Sequence, residues 1–558
     1  MIKKLPIGVS DFKKLIEENY YYVDKTLFIK ELYDSSAEVI LLPRPRRFGK
    51  TLNISMLRYF FEQSENSNAH LFTNTLISGQ PEFQKLQGQF PVIFLTFKDC
   101  KTATWIGTYG KMIELIAQEY TRHFTTLAPH MDQIELKIYN SICDMTASEE
   151  LFGGSLLRLS GLLYRAYKKQ VIILIDEYDA AIHAGYMHGY YDKIVEFVRS
   201  LLTAALKDNS FIHKGVLTGI LRTAKEGIFS GLNNLDVLSL IDPNFQDKFG
   251  FTQQEVEKLL SDYSLLRTLS DVQTWYNGYT FGSTLIYNPW SLLQFVDKKG
   301  ELKPYWVNTS DNALVKKLIA QSGTQVKLEL EQLINKSGFV EKEIVDAFVF
   351  SGIEHDERAI WSLLLFSGYV TYKKCELRTG RLWCELIIPN TEILVQYQTL
   401  IEEIFIHSLS KLKTNKLIEH LIAGDEEFFS DLLQEFVINS MSVNDITENE
   451  SEKSYHLFML GMMVIFADIY EVRSNRESGL GRYDITLFPK KPNYPGILFE
   501  FKKVSRKETL EQAAQRALDQ IEEKKYAQEL VSRGVKDIVS VGIAFAGKEL
   551  LVLMHKNF

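Results

Sequence analysis

The chain has 558 residues, of which 46% are hydrophobic and 24% are charged, which excludes a disordered protein and predicts two to four globular domains. The N-terminus lacks the apolar run of a signal peptide, and no apolar stretch is long enough to span a bilayer, so we expect a cytoplasmic protein without a membrane partner. The formal net charge of −8 gives no global attraction to nucleic acid, so any such binding would need a local basic surface.

The first part of the chain alternates short apolar runs with amphipathic helical stretches. This alternation is typical of an α/β domain with a buried parallel sheet, which we expect over residues 1–250. The predicted strands are Val39–Leu42, Val92–Phe97, Val171–Ile175 and Val216–Thr218. The predicted helices are Thr51–Glu62, Tyr109–Arg122, Ser155–Tyr167 and Tyr191–Leu206.

The pattern changes after Phe251, where it predicts a mostly helical middle region over residues 251–397 without assigned chemistry. A third region, residues 398–558, begins helical and then turns to strands, which predicts a C-terminal α/β domain. Its predicted strands are Asp484–Phe488, Gly496–Lys502 and Ile538–Phe545. The four cysteines, Cys100, Cys143, Cys375 and Cys384, form no C-x-x-C pair, so we expect them to be reduced, without a disulfide framework or a zinc site.

The loop after the first predicted strand has the form of a phosphate-binding loop, a modified Walker A motif. Residues 44–51 read R-P-R-R-F-G-K-T before an amphipathic helix, and backbone N–H groups at such a junction point at phosphate oxygens. Lys50 would reach the β- and γ-phosphates of ATP, Thr51 would bind Mg²⁺, and Gly49 would allow close approach of the backbone. Arg44 replaces the usual first glycine, and with Arg46, Arg47 and Phe48 it completes the predicted nucleotide contacts. Alternatively, Gly-Lys-Thr is an ordinary helix start.

A second strand ends in two carboxylates, Asp176 and Glu177, as a Walker B strand does. Asp176 would hold Mg²⁺, and Glu177 would polarise the water that attacks the γ-phosphate. The alternative is that both acids begin a solvated loop. Thr218, at the end of a third strand, could sense the γ-phosphate, and Arg222 could stabilise its charge in trans, although a surface arginine is an equally good interpretation.

Several sequence blocks together resemble the bacterial AAA-ATPase-like family. They are P-I-G-V-S-D-F, the loop R-P-R-R-F-G-K-T, the strand end L-I-D-E-Y-D, the block L-T-G-I-L-R-T-A-K-E-G-I-F-S-G-L-N-N-L, and W-Y-N-G-Y-x-F-G followed by Y-N-P-W, within residues 5–293. The resemblance implies an AAA-like domain that binds nucleotide despite Arg44, with Tyr22, Asp24 and Lys25 near the adenine. It also implies a C-terminal nuclease-like domain, which such proteins commonly carry.

The C-terminal strands contain residues suited to a metal-dependent cleavage site. Period-two alternation places Glu500 and Lys502 on one face of a strand, and Asp484 on the partner strand can approach that face. The two carboxylates could hold Mg²⁺, which would activate water, while Lys502 adds positive charge. The alternative is a salt bridge on a half-exposed strand.

These residues resemble the PD-(D/E)XK nuclease superfamily, which has a restriction-endonuclease-like fold. The resemblance implies an intact active site and a further metal ligand at Glu452, with His456 one turn later on the same predicted helix. Gln520 and Tyr526 match a Gln and Tyr helix of several such nucleases, although their spacing is wider than in the tightest form of that motif. A basic patch surrounds these positions in sequence: Lys490, Lys491, Lys502, Lys503, Arg506, Lys507, Lys524 and Lys525.

The sequence is therefore compatible with two functions. In the first, ATP binding or hydrolysis gates Mg²⁺-dependent cleavage of DNA or RNA. In the second, the protein is a nucleotide-dependent switch or scaffold whose nuclease-like domain binds a polynucleotide or partner without cutting it. The basic patch supports a nucleic-acid partner. Assembly into a homo-oligomer is left open.

Overall fold

The computed structural model describes residues 2–220, 234–308, 312–334, 338–345, 356–408, 411–440, 469–474, 484–505, 508–546 and 549–557, with a few short stretches between them. The chain divides into two compact units. The first contains Met1–Ser310 and Val340–Ile393, and the second contains Asp311–Phe339 and Leu394–Phe558. The domain boundaries at residues 250 and 397 stay a prediction.

A five-stranded sheet forms the centre of the first unit, with the strand order β2-β3-β4-β1-β5. All neighbouring strands run parallel, and every residue of β1 and β3 is buried, as the continuous apolar runs predict. The strands are β1 (Val39–Pro43), β2 (Val92–Thr96), β3 (Val171–Asp176), β4 (Ile212–Gly219) and β5 (Leu235–Val237). The helices of this part are α1 (Phe12–Glu17), α2 (Leu27–Asp34), α3 (Lys50–Phe61), α4 (Pro81–Gln84), α5 (Trp105–Leu127), α6 (Gln133–Cys143), α7 (Glu149–Gly153), α8 (Ser155–Tyr167), α9 (Ala180–His188) and α10 (Tyr191–Leu206).

The strand register brings the predicted nucleotide-binding residues to one edge of this sheet. Pro43 at the end of β1 pairs with Gly219 at the end of β4, and Thr96 at the end of β2 pairs with Asp176 at the end of β3. Because β4 lies between β1 and β3, Thr218 stands between the two predicted motifs. Ligands of open parallel sheets bind at this carboxyl edge.

The middle of the chain is largely helical, as predicted, but it also contains strands that the sequence pattern did not reveal. Its helices in the first unit are α11 (Gln253–Asp262), α12 (Leu269–Tyr276), α13 (Pro289–Asp297) and α16 (Glu357–Ser367). A hairpin joins β6 (Tyr279–Phe281) to β7 (Thr284–Ile286), and a three-stranded antiparallel sheet contains β8 (Val340–Ile344), β9 (Thr371–Arg378) and β10 (Arg381–Ile387).

The expectation that all four cysteines are reduced is corrected by this sheet. Cys375 of β9 and Cys384 of β10 are paired residues in the antiparallel register and form a disulfide. Their Cα atoms lie 4.1 Å apart, the close spacing that opposed residues reach in antiparallel strands. The C-x-x-C criterion missed the pair because the cysteines are neighbours across a hairpin.

A buried carboxyl, Glu392, joins two parts of the first unit. It lies at the start of α17 (Thr391–Ser408) and is fully buried. It accepts hydrogen bonds from Ser291 Oγ, at 2.8 and 2.9 Å, and from the backbone N–H of Trp306, at 2.8 Å. Burial raises the pKa of Glu392 to about 7, although these hydrogen bonds oppose the rise.

The second unit contains a mixed five-stranded sheet in the order β11-β14-β15-β16-β17. Among the described strands of this sheet, only β15 (Gly496–Lys503) and β16 (Ile538–Ala546) pair in parallel, and their connection contains α20 (Leu510–Glu523), whose buried face packs on them. The strands are β11 (Tyr470–Ser474), β14 (Ile485–Pro489), β15 (Gly496–Lys503), β16 (Ile538–Ala546) and β17 (Glu549–Asn557), beside the short pair β12 (Glu477–Ser478) and β13 (Gly481–Arg482). The helices are α14 (Asn312–Gln321), α15 (Thr324–Ile334), most of α17, α18 (Lys411–Ala423), α19 (Glu426–Ser440), α20 (Leu510–Glu523) and α21 (Gln528–Ser532). Across the described residues of both units, no helix is both long and apolar enough to cross a membrane.

Candidate nucleotide and metal sites

The loop between β1 and α3 has the backbone conformation of a compact turn. Arg47 has a φ of 67° and Gly49 a φ of 88°, and the glycine at the second of these positions avoids the strain of a left-handed backbone. Lys50 folds beneath the loop, where its Nζ donates hydrogen bonds to the carbonyls of Arg44, at 2.8 Å, and Pro45, at 3.0 Å. Burial lowers the pKa of Lys50, and the Glu177 carboxylate opposes this shift. The lysine therefore holds the loop together at the first turn of α3.

Three hydroxyl groups converge on the Asp176 carboxylate. Thr51 Oγ1 donates to Asp176 Oδ2 at 2.8 Å, Thr96 Oγ1 donates to the same oxygen at 3.2 Å, and Thr218 Oγ1 donates to Oδ1 at 2.6 Å. Asp176 is fully buried, so a charge there needs such partners. The structure thus brings Thr51, Asp176 and Thr218 together from α3, β3 and β4. The sequence analysis did not anticipate Thr96.

Glu177 turns away from the strand that carries Asp176. Its φ of 50° breaks the extended backbone, and its amide lies 3.4 Å from Thr218 Oγ1. The side chain lines a cavity of about 480 Å³ beside Arg46, Lys50 and Thr51. Burial raises the pKa of Glu177, an effect that Lys50 opposes and Asp176 reinforces. A carboxyl with a raised pKa beside a phosphate loop is a suitable proton acceptor.

Arg44 takes a different place from the one predicted. Its side chain is fully buried, and its guanidinium donates to the carbonyls of Pro43, at 2.8 Å, and Leu238, at 2.7 Å. It also lies over the rings of Phe249 and Phe281, and burial lowers its pKa to about 10. The predicted nucleotide contact is therefore corrected, because this side chain supports the loop from beneath and only its carbonyl faces Lys50.

Other loop residues are held by the middle region. Phe48 packs its ring against Tyr279 and Phe281 of β6, and the Arg47 guanidinium lies 4.3 Å from the Trp290 ring centroid in the first turn of α13. Arg46, Arg47 and Phe48 all line the cavity. The sequence analysis missed Trp290 as a neighbour of the loop, although the motif Y-N-P-W was noted.

The cavity also has apolar and aromatic lining residues. It is lined by Tyr21, Tyr22, Phe251 and Leu293, among others, which suits a nucleobase. Lys25 also lines it, but its Nζ is bound by Glu255 at 2.7 Å. Asp24 accepts hydrogen bonds from Thr26 and the Leu76 amide, and its place near adenine stays a prediction. Arg222 lies outside the described residues.

The second candidate site lies on β15. Glu500 and Lys502 share one face, as the alternation predicts, and Lys502 Nζ donates to Glu500 Oε1 at 2.7 Å. Asp484, just before β14, accepts a hydrogen bond from the Phe501 amide at 2.8 Å. Burial raises the pKa of Glu500 to about 7, and the nearby Asp484 adds to the rise. Burial also raises the pKa of Asp484. Two carboxyls with raised pKa values are thus held close together.

Helix α20 supplies further polar groups to this site. Gln520 Nε2 donates hydrogen bonds to Glu500 Oε1 and, at 3.1 Å, to the Tyr526 hydroxyl. The helix can approach because Gly542 of β16, which pairs with Glu500, has no side chain. A Cβ there would lie 2.5 Å from the Ala514 carbonyl of α20. Gln520 and Tyr526 therefore reach the site despite the wide spacing of their motif.

One observation tests whether this donor set fits a divalent cation. Glu500 Oε2 is buried and has no hydrogen-bond partner in the structure, whereas buried carboxylate oxygens are normally satisfied. A cation held by Glu500 and Asp484 would satisfy it, since Mg²⁺ prefers oxygen ligands. Among the described residues no three Asp, Glu, His or Cys side chains form a metal-binding group. Glu452 and His456 lie outside these residues, as do Arg506 and Lys507 of the basic patch.

Comparisons with known proteins match two parts of the chain to known families. Residues 6–229 match the family model described as a predicted AAA-ATPase, and residues 450–555 match that of the PD-(D/E)XK nuclease superfamily. The chain is 26% identical over 559 residues to a protein of Azotobacter chroococcum mcd 1, with coverage of 98% of this chain and 96% of that protein. That relative is described as an uncharacterized protein in the vnfD 5' region, so it provides no activity for comparison. The chain thus combines an AAA-ATPase-like domain with a C-terminal domain of the PD-(D/E)XK nuclease superfamily.

Proposed function

We propose that the AAA-ATPase-like domain binds and hydrolyses ATP with Mg²⁺, and that its nucleotide state gates phosphodiester cleavage of DNA or RNA by the nuclease-like domain. The observation that supports this proposal is that the hydroxyl groups of Thr51 and Thr218 both bind the Asp176 carboxylate beside the Lys50 loop. This arrangement joins a phosphate-binding helix start to a cation-binding carboxylate at the carboxyl edge of a parallel sheet.

Each group at the nucleotide site has a definite task in this proposal. Thr51 and Asp176 would hold Mg²⁺, which neutralises charge on the β- and γ-phosphates. Lys50, whose Nζ bonds the Arg44 and Pro45 carbonyls in this structure, would turn to the same phosphates, and Glu177 would accept the proton of the attacking water. The water oxygen bonds to the γ-phosphorus, the bond from this phosphorus to the bridging oxygen breaks, and ADP leaves with the electron pair. Thr218, already bonded to Asp176, keeps that carboxylate oriented.

The nuclease proposal depends on the partnerless oxygen of Glu500 beside Asp484. These two carboxyls would hold Mg²⁺, which supplies Lewis acidity for the attack of water on a phosphodiester. Lys502 keeps a positive charge 2.7 Å from Glu500 Oε1, where it can stabilise the developing negative charge, and Gln520 fixes the orientation of Glu500. Exposed Lys490, Lys491 and Lys503 offer contacts to the phosphate backbone.

The test is a Mg²⁺-dependent cleavage assay on DNA and RNA, with and without ATP. It compares the wild type with Glu500→Gln, Lys50→Ala and two controls at exposed positions, Glu523→Gln and Lys85→Ala. We expect Glu500→Gln to abolish cleavage, Lys50→Ala to abolish its dependence on ATP, and both controls to behave as the wild type. Cleavage that survives in Glu500→Gln would contradict the assignment of the nuclease site.

The alternative is a nucleotide-dependent switch or scaffold that does not cut. The Lys502–Glu500 ion pair is the observation in its favour, because a salt bridge of this kind also occurs without catalysis. Wild-type protein that binds polynucleotides in an ATP-dependent manner, yet cleaves none of them, would favour this alternative.

A further inference from the structure

Positive charge accumulates around the nucleotide cavity beyond what the phosphate loop explains. Lysine and arginine side chains dominate its charged lining, and Glu177 is the carboxylate among the lining residues. The cationic lining residues are Lys25, Arg46, Arg47, Lys50, Lys98, Lys101 and Lys248. Lys25 pairs with Glu255, and Lys248 pairs with Glu31 and Asp247, so carboxylates outside the lining match the charges of these two lysines.

Lys98 and Lys101 were not predicted as site residues. They follow β2, the strand next to the Asp176 strand β3, so the connection that carries them leaves the same edge of the sheet as the phosphate loop. Within the part of the chain that the structure describes, neither lysine has an ion-pair partner. Both side chains line the cavity. These two lysines therefore add positive charge to the cavity from a segment other than the phosphate loop.

Lys101 and Glu177 line the same cavity. Burial lowers the pKa of Lys101, the charge of Arg46 lowers it further, and Glu177 opposes the shift. Lys50, Arg46 and Arg47 also interact electrostatically with Glu177. Glu177 and these four cations line one cavity, and Thr96 at the end of β2 donates to Asp176. The segment that carries Lys101 therefore begins beside the predicted Mg²⁺ ligand, where we expect the γ-phosphate.

We propose that Lys101, together with Arg46, contacts the γ-phosphate of ATP and stabilises its transition-state charge in cis. This task commonly belongs to an arginine finger, which acts either in cis or from a neighbouring molecule. ATP hydrolysis by this chain then needs no second protomer, and Arg222 is not needed as a finger in trans. The inference rests on the proposed ATPase activity and specifies how that site is completed.

The first test measures ATP turnover and nucleotide binding by the full chain carrying Lys101→Met, with Lys85→Met as the control for loss of a surface lysine. We expect kcat to fall on the order of a hundredfold, the usual effect of removing one preorganised charge-stabilising group. The affinity for ADP should stay within about threefold of the wild type, because the γ-phosphate, which ADP lacks, is the only phosphate that Lys101 contacts. A kcat within about threefold of the wild type would overturn the proposal.

The second test distinguishes action in cis from action in trans. Lys101→Met keeps an intact phosphate loop, and Lys50→Ala keeps an intact Lys101. In cis, an equimolar mixture of the two has only the sum of their separate activities, and the specific activity of the wild type is constant on dilution. If the mixture regains wild-type-like turnover, or if dilution abolishes turnover, Lys101 acts across an interface and the proposal is wrong.

Nucleotide binding separates this inference from the proposed function. Wild-type protein that binds neither ATP nor ADP refutes the nucleotide site itself, and this inference fails with it. If the wild type binds nucleotide without hydrolysing it, its preference for ATP over ADP tests the role of Lys101. Lys101→Met should then lose that preference while it retains ADP affinity, and an unchanged preference overturns the role of Lys101 alone.

Discussion

Replacement of Glu392 by glutamine should stabilise the first unit at alkaline pH and have little effect at acidic pH. Burial raises the pKa of this carboxyl from the ordinary 4.5 to about 7, so the folded state keeps a proton that the unfolded chain has already released. The unfolded state then binds fewer protons, and the free energy of unfolding falls as pH rises from about 4.5 to about 7. Since a pKa difference of one corresponds to about 1.4 kcal/mol, the carboxylate costs about 3 kcal/mol above this window. Glutamine removes that cost and keeps the hydrogen bonds, because its amide can accept from the Trp306 N–H and donate to Ser291 Oγ.

The assay is urea unfolding of the full-length wild type and Glu392→Gln at pH 5 and pH 8, followed by tryptophan fluorescence. The exposed Glu301, which pairs with Lys303 at 2.6 Å, provides the control Glu301→Gln. The gain in the free energy of unfolding at pH 8 minus the gain at pH 5 should be about 2.5 kcal/mol for position 392 and close to zero for position 301. A loss of stability at pH 8, or an equal gain at both pH values, would refute the reasoning, since the carboxylate would then be charged and well solvated in the folded state.

Three further predictions follow from features of the fold. Arg44→Met leaves the carbonyl of Leu238 without its donor and should lower the free energy of unfolding by about 3 kcal/mol. Urea unfolding measures this loss, and a stability equal to that of the wild type would contradict the structural role. Gly542→Ala places a Cβ 2.5 Å from a helix carbonyl and should destabilise the C-terminal domain by about 1–3 kcal/mol. Cleavage should therefore fall while ATP binding persists. Thermal unfolding at the wild-type temperature would contradict this crowding. Cys375→Ser removes a disulfide between residues nine apart and should lower the free energy of unfolding by roughly 2–3 kcal/mol. Reduction of the wild type should have the same effect. Alkylation that labels all four cysteines without prior reduction would show that the bond is absent.

Local patterns predicted the secondary structure of the first domain well. The helices Ser155–Tyr167 and Tyr191–Leu206 coincide with the prediction, because their apolar residues recur at helical spacing and turn residues bound them. The three-residue strand β5 and the strands β8 to β10 were missed. They are short or half-exposed, so their sequences carry little of the continuous apolar signal that marks β1 and β3.

Contacts between distant parts of the chain limited the prediction of the site. Thr218 was a weak candidate because only the sheet order places its hydroxyl on Asp176. The direction of the Arg44 side chain depends on Leu238, which lies 194 residues further along the chain. The disulfide similarly depends on the register of two strands. Motifs that are contiguous in sequence, such as the loop up to Thr51, were the easiest to recognise.

The anchoring of the phosphate loop by later segments determines the smallest fragment worth expressing. The family match ends at residue 229, but the Arg47 guanidinium rests on Trp290, Phe48 packs on Tyr279, and a Cβ at Gly368 would lie 3.2 Å from the Pro45 side chain. A protein truncated at the end of the family match would keep every residue of the loop and lose the surfaces that shape it. A recombinant nucleotide-binding core should therefore extend to Ile393, where the first compact unit ends.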